Sequence, residues 1–410
     1  MIFLVRSFLI FNFKILFSKS IIVHRKLLIV ATLIVLLFSF PIKISAQDSC
    51  HIRISLLTAT PGEELYEAWG HSALRITDSV SNSDIVYNYG TFNFDTPNFY
   101  LKFIRGKLPF YLSPDNFQDF VAEYEQDNRG VTEQVLNLTC AEKQNILMLL
   151  EVNMMGNNRG YKYEFTFDNC TTRLRDLVEK ATDSTVHFVQ VIHTKVTFRN
   201  LIHEYLNYND KQWSKLGIDI LLGSKLDAAA TPYQVMFLPD YLMKTLDSTT
   251  LSGRPIISST HPLFKVNRSR IEKNNLTHPF FLFICLFVII AFLSFSKNTF
   301  IQKTLSSFDG FLFFITGFLG ILLLFMWFGT DHIMCANNYN LLWAWPTNVV
   351  AAFFVHSKKR WPKIYFTIYS IFNIFLIAVW AWVPQHLNAA LIPIIAILIF
   401  RSLIYIFRKR

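Results

Sequence analysis

Three textures of apolar and polar positions follow one another along this chain of 410 residues. In the first, an apolar run from Leu27 to Phe40 is preceded by the basic residues Lys14, Lys19, Arg25 and Lys26 and followed by Pro41 and the small-residue site Ile44-Ser45-Ala46. That order predicts a secretory signal peptide over residues 1–46, cleaved after Ala46. An uncleaved anchor is the alternative, against which the shortness of the apolar run counts.

In the second texture, over 47–275, polar and apolar positions mix and turn residues are frequent. Short β-branched or aromatic segments at Ile52–Leu57, Ser72–Ile76, Ile85–Tyr89 and Tyr163–Phe167 predict strands. The 3.6-residue period predicts helices over Asn116–Asp127, Ala141–Asn153 and Thr171–Ala181. Strands and helices do not alternate regularly, which favours an α+β domain over a doubly wound sheet.

From Pro279 the third texture begins. Apolar runs at Pro279–Ser296, Phe308–Gly329, Leu341–Val355, Ile364–Val383 and Leu387–Phe407 predict about five membrane helices, Leu341–Val355 being the shortest and carrying Pro346. The linkers Lys297–Lys303 and His356–Lys363 and the end Arg408–Arg410 are basic, whereas Thr330–Asn340 and Pro384–Asn388 carry no Lys or Arg. The positive-inside rule places the basic linkers in the cytoplasm and the others, with the 47–275 domain, outside it. The signal peptide requires the same side. The expected layout is a signal peptide over 1–46, a periplasmic α+β domain over 47–275, and an all-α transmembrane bundle over 276–410. The expected location is a bacterial inner membrane, crossed several times.

Composition sharpens this picture at three points. Only 17% of residues are charged and 52% are hydrophobic, with 41 Phe, against about 25% charged in ordinary soluble chains. The net charge of +10 is explained by basic cytoplasmic loops, and with no nucleic-acid motif present nucleic acid is not an expected partner. None of the five cysteines lies in a CxxC pair, so neither a structural zinc site nor another metal or cofactor is expected.

Three cysteines fall in the exported domain. Cys50 and Cys140 could pair in an oxidising compartment. Cys170 stands in Phe167-Asp-Asn-Cys-Thr-Thr-Arg173, where Asp168 or Asn169 can cap a helix whose buried stripe is Leu174, Leu177, Val178 and Ala181. A cysteine at the first helical residue meets unpaired N–H groups and the positive end of the helix dipole, both of which favour a thiolate. A small buried cysteine without chemistry fits the same pattern. A thiol nucleophile needs a base, and His71 opens a predicted strand directly after Gly70. A hydrogen-bonded histidine at a strand end is the plainer alternative. Asn88 could orient the imidazole, with Asp168 and Glu64 as rivals.

Together the two motifs have the order of circularly permuted papain-like thiol enzymes, among them lecithin–retinol acyltransferase relatives. More closely, Leu57–His71, Tyr89-Gly-Thr-Phe-Asn-Phe94, Pro97–Lys107, Phe167–Arg173, Phe237-Leu-Pro-Asp-Tyr241, Thr330-Asp-His332 and Asn338–Trp343 resemble the Bacteroidetes lipoprotein N-acyltransferase family Lnb. The resemblance covers most of the chain from about residue 50. It implies a permuted papain-like fold, Cys170 as nucleophile and His71 as base. It also implies a phospholipid acyl donor, a diacylated lipoprotein as acceptor of the acyl group on its N-terminal amine, and a thioester between the two. Lys102 and Arg105, on an aromatic and basic stretch, and Asp331 and His332, at the outer end of the second span, are candidate substrate-binding residues. A peptidoglycan-cleaving cysteine peptidase or amidase, a thiol phospholipase and a membrane scaffold without enzymatic activity are the rival readings.

Overall fold

The computed structural model describes residues 51–183, 186–266 and 274–407. The expected signal peptide and Cys50 lie outside them.

The exported half is built on one antiparallel sheet. Its strands are β1 (Ile52–Ala59), β2 (His71–Asp78), β3 (Ser83–Thr91), β4 (Pro109–Asn116), β5 (Val131–Leu136), β6 (Gly160–Lys162) and, after a small hairpin of β7 (Thr250–Leu251) and β8 (Arg254–Pro255), β9 (Ile257–Phe264). The order is β6-β4-β3-β2-β1-β5-β9. The central strands are buried on both faces, because helices cover both. On one face Ile54, Leu56, Leu74, Ile76 and Leu112 pack against α3 (Cys140–Met154), α4 (Cys170–Ala181) and α7 (Pro239–Ser248). On the other, Leu57, Ala73 and Val86 pack against Phe120 and Tyr124 of α2 (Phe117–Gln126). A further short helix, α1 (Phe99–Ile104), precedes β4 and buries none of its residues fully. The expected α+β class is what forms, and the three expected helices coincide with α2, α3 and α4.

The segment Tyr163–Phe167 is a correction. It forms a turn rather than a strand, because the Glu164 carboxylate accepts from the amides of Thr166 (2.9 Å) and Phe167 (2.7 Å), drawing the chain back before it can extend. Its aromatic rings diverge accordingly: Tyr163 packs on Phe110, Phe165 on Trp69, and Phe167 on Phe198.

Two helices, α5 (Phe198–Tyr208) and α6 (Gln212–Leu221), lead from the sheet towards an apolar bundle. Five helices follow among the described residues: α8 (Pro279–Ser294), α9 (Thr299–Phe328), α10 (Asn348–Ala352), α11 (Arg360–Ala378) and α12 (Leu391–Phe407). At 30 and 19 residues, α9 and α11 are long and apolar enough to cross a membrane. The expected span Leu341–Val355 instead folds as a 3-10 turn, a loop around Pro346 and the five-residue α10. Pro346 has no N–H to continue a helix, and the buried side chains of Asn340 and Asn348 turn the segment inward. The second span starts earlier than expected, at Thr299, so Lys303 lies inside α9.

Arg401 of α12 is buried. It pairs with Asp309 of α9 through Nε (2.6 Å) and Nη2 (2.7 Å) and donates Nη1 to Ser294 of α8 (2.7 Å), tying three helices together. Stranding one member of such a buried pair costs about 3–5 kcal/mol, whereas replacing both by apolar residues is often neutral. The pair therefore fixes how the helices register against each other more than how stable they are.

Loops of the bundle cap the end of α6. A helix leaves its last carbonyls without partners. Here Asn340 donates to the carbonyl of Asp219 (2.8 Å), Asn338 to those of Ile220 (2.8 Å) and Leu221 (3.0 Å), and Gln385 to that of Leu222 (3.0 Å). Below this cap Arg199 and Asp219, both about 1% exposed, form an ion pair of 2.6 Å. His203 and Asn388 also reach the Asp219 carboxylate, at 2.8 and 2.9 Å. The exported half and the bundle are thus joined by a satisfied polar network, not by apolar contact alone.

Candidate active site

His71 owes its place to the residue before it. Gly70 has φ +84°, and a Cβ there would lie 2.6 Å from the carbonyl oxygen of Ala59. Only glycine lets the chain turn so tightly into β2, and His71 is the strand's first residue, paired with Ala59.

Cys170 is set by the cap of α4. The Asn169 side chain accepts from the Thr172 amide (2.8 Å), while the Asn169 amide donates to the Thr172 hydroxyl (2.8 Å). Asn169 Nδ2 also donates to the carbonyls of Phe165 and Phe237, both at 2.8 Å. The cap therefore locks the helix start in three directions and puts Cys170 at the first helical position. The Thr171 hydroxyl donates to Ser72 Oγ at 3.2 Å, stitching the start of α4 to β2. Cys170 is 9% exposed and forms no disulfide. Cys140 is disulfide-bonded, and its suggested partner Cys50 lies outside the described residues.

These placements bring the thiol and the imidazole close enough for each to act on the other's proton affinity. Burial would push the Cys170 thiol up. The His71 charge and hydrogen bond, the Ser72 amide and the Thr171 hydroxyl outweigh it and bring the thiol down from 9.0 to about 7. Burial would lower His71, but the facing Cys170 and the hydrogen bonds from Cys170 and Asn88 raise it. A thiol at about 7 is roughly half ionised at pH 7, against about one in a hundred at its ordinary value. The measurable consequence is that alkylation of Cys170 by iodoacetamide, followed by peptide mass spectrometry, should rise with a midpoint near pH 7. In His71→Ala the midpoint should move up, because burial remains while the imidazole's charge and hydrogen bond are gone, leaving only the Ser72 amide and the Thr171 hydroxyl against it. An unchanged midpoint would mean that the two groups are not coupled.

Of the three candidates for orienting His71, Asn88 is the one that reaches it, with Oδ1 3.1 Å from Nε2. Asp168 is held by Arg173, and Glu64 is exposed in the turn before β2. The Asn88 amide cannot be flipped without loss, because Nδ2 donates to Asp115 Oδ2 of β4 at 2.8 Å. Oδ1 must therefore face the imidazole, and Nε2 must carry a proton to donate to it. That leaves Nδ1 to receive the thiol proton. Asp115 was not singled out from the sequence: it stands on the neighbouring strand two residues from Ser113, the register partner of Asn88, and only strand pairing between β3 and β4 reveals it.

The other candidates form a second group. Asp331 donates its amide to the Arg105 carbonyl (2.9 Å), and His332 Nε2 lies 3.2 Å from the Phe103 carbonyl, so α1 sits on the loop that follows α9. Lys102 shares that short helix. Asp331 also pairs with Lys162 at 2.8 Å, another residue the sequence did not single out. The hydrogen bond from Lys162, with Lys107 and Arg105 nearby, holds the Asp331 carboxyl below its ordinary range.

A capped helix presenting a lowered thiol to an oriented imidazole, on a sheet domain tied to an apolar bundle, defines the class: an exported cysteine–histidine domain on a membrane anchor. Two family models match the chain, the Lnb N-terminal periplasmic domain over residues 44–209 and the Lnb transmembrane domain over residues 271–410. The chain belongs to the Lnb family, with a periplasmic domain, a transmembrane domain and a lipoprotein N-acyltransferase-like role. No curated protein and no solved structure matches it.

Proposed function

We propose that this protein moves a fatty acyl chain from a phospholipid to the N-terminal amine of diacylated lipoproteins, through a thioester on Cys170. The observation that carries the reading is the hydrogen-bonded chain from Asp115 through Asn88 to His71, with the thiol at the head of α4 facing that imidazole electrostatically. In the first half-reaction Nδ1 of His71 takes the thiol proton and Sγ attacks the ester carbonyl carbon. The bond from that carbon to the glycerol oxygen breaks, the alkoxide takes the proton back from the imidazolium, and a lysophospholipid leaves. In the second, the neutral α-amine of the diacylglyceryl-cysteine attacks the thioester carbon, the C–S bond breaks and His71 takes the amine's proton. The amides of Cys170 and Thr171, which the Asn169 cap does not use, are the donors suited to the oxyanion of each step.

An ester is a poor acyl donor to an amine, and a thioester a good one, so the division lowers both barriers. Both substrates are lipids on the outer face of the inner membrane, which is the reason for a multi-pass anchor.

The test is to incubate the purified full chain with phospholipid carrying a labelled acyl chain and no acceptor. Label should accumulate on Cys170 and be released by neutral hydroxylamine. Adding a diacylated lipopeptide should then discharge it onto the amine. Release as free fatty acid at the same rate with and without lipopeptide would favour the phospholipase reading, and no labelled Cys170 would end the proposal.

A further inference from the structure

A cavity of about 220 Å³ lies at the seam between the periplasmic domain and the loop after α9, with Phe103, Leu108, Phe110, Tyr163, Leu222 and Met334 among its walls. Most of that lining is apolar, although the cavity sits between two polar cappings of the seam.

One wall is shared with the thiol. A Cβ placed on Gly90 would lie 3.7 Å from the Tyr163 ring and 3.8 Å from the Cys170 Cβ. That glycine has φ +95° and sits in the irregularity of pairing between Tyr89 and Thr91, a feature common beside active sites. Tyr163, which lines the cavity, and Cys170 therefore border the same space over Gly90. From there a ribbon of rings runs outward: Tyr163 on Phe110 (centroids 4.6 Å), Phe110 on Phe92 (5.3 Å), Phe92 on Phe99 (5.8 Å), and Phe99 on Phe103 (6.2 Å). It ends on α1, where Tyr100 is 76% and Phe103 52% exposed. A short helix that shows its rings to the outside, next to the loop of a membrane helix, suits a lipid surface.

The rim is cationic. Lys162 pairs with Asp331, and Lys107 and Arg105 lie close enough to act on the same carboxyl. Three cations against two carboxylates, Asp331 and the cavity-lining Glu164, leave a positive excess. The Nε–H of Arg105 is buried and has no partner among the described residues, an arrangement that an anionic oxygen would complete.

We propose that the cavity seats the acyl chain carried by Cys170 and that Lys162, Lys107 and Arg105 seat the donor's phosphate, with Asp331 organising the cations. This rests on the acyl-transfer reading, since a chain esterified to Sγ needs an apolar space beside the thiol, and Tyr163 is a wall of the cavity that borders Gly90 together with Cys170. Asp331 then positions other groups and does not itself bind the anion, and Tyr163 is the wall along which the chain enters.

The experiment uses the full chain in detergent micelles and phosphatidylglycerols with chains of eight or sixteen carbons, reading the rate at which Cys170 is acylated by intact mass. Leu222→Trp, which fills the cavity, should lower the sixteen-to-eight rate ratio by about 10-fold or more. Met334→Ala, which enlarges it without new bulk to accommodate, should raise that ratio. In a second arm, the pair Arg105→Gln and Lys107→Gln should raise KM about 10-fold for phosphatidylglycerol, but not for an acyl-N-acetylcysteamine thioester, which has no phosphate. If Cys170 is acylated and neither cavity variant changes the ratio, the cavity assignment is wrong. If the KM values for both donors move together, or neither moves, the cation assignment is wrong. Failure of the unaltered protein to form acyl-Cys170 with any donor would overturn the acyl-transfer reading itself.

Discussion

Replacing Cys170 by alanine should lower acyl transfer by about 10⁴-fold or more, and His71→Ala by about 10² to 10⁴-fold, with the double variant little worse than Cys170→Ala alone. The order follows from the roles. Without Sγ there is no thioester, and the residual rate is what binding and oxyanion donors supply by themselves. Without the imidazole a thiol remains, but buried and no longer drawn down to about 7, so the thiolate fraction falls and neither proton is carried. The two losses are not additive because each removes the same path. Asn88→Ala should cost less than His71→Ala, since the imidazole stays but is free to turn its Nδ1 away from the sulfur. The measurement is transfer of a labelled acyl chain to a diacylated lipopeptide, alongside unfolding curves. Cys170→Ala removes one atom from a site that Asn169 already caps, so its midpoint should stay near that of the unaltered protein. Retention of a tenth of the activity by Cys170→Ala would mean that the chain is never held on this sulfur.

What could be read before the structure was local. Gly70 before His71 and Asn169 before Cys170 are short-range signals, each acting within a turn, and both placed their residue where the structure has it. The helices α2, α3 and α4 have strong periodicity and well-marked starts, and coincide with the expectation. What was not legible depends on elements that meet from far apart in the chain. Asp115 reaches Asn88 only through pairing of β3 with β4. Lys162 reaches Asp331 across 169 positions, and no spacing rule connects them. The turn at Glu164 looked like a strand because its aromatic alternation matches one; a side-chain carboxylate taking two amides overrode the pattern. Arg401 reaches its partner, Asp309, on a different helix, which no local pattern shows. The bundle was legible as apolar text, but Leu341–Val355 was misjudged because apolar composition says nothing of the buried amides of Asn340 and Asn348, which shape that segment.

Asp219 carries the second large effect, and it does so far from the sulfur. Asp219→Leu should destabilise the full chain by about 1–3 kcal/mol or more, because it strands the buried donors of His203 and Asn388 and one Nη of Arg199, which keeps only Asp227 and two carbonyls. The pH dependence gives a sharper test. Burial would raise the Asp219 carboxyl, but His203, Arg199 and Asn388 outweigh it and hold it below the ordinary 3.8. A depressed carboxyl contributes its full stability above the unfolded value and loses it as pH falls through the folded one. The deficit of Asp219→Leu should therefore shrink as pH falls below 3.8, as read by unfolding midpoints in detergent. Activity should fall together with stability, because this network and the carbonyls it caps fix α6 to the loops around Asn338 and Asn388, and the loop that carries Asn338 also carries Asp331 and His332 to the face of α1. An unchanged midpoint at pH 7, or a deficit that persists in full at pH 3, would show that the periplasmic half is held on the bundle by apolar contact and that the buried ion pair contributes little to it.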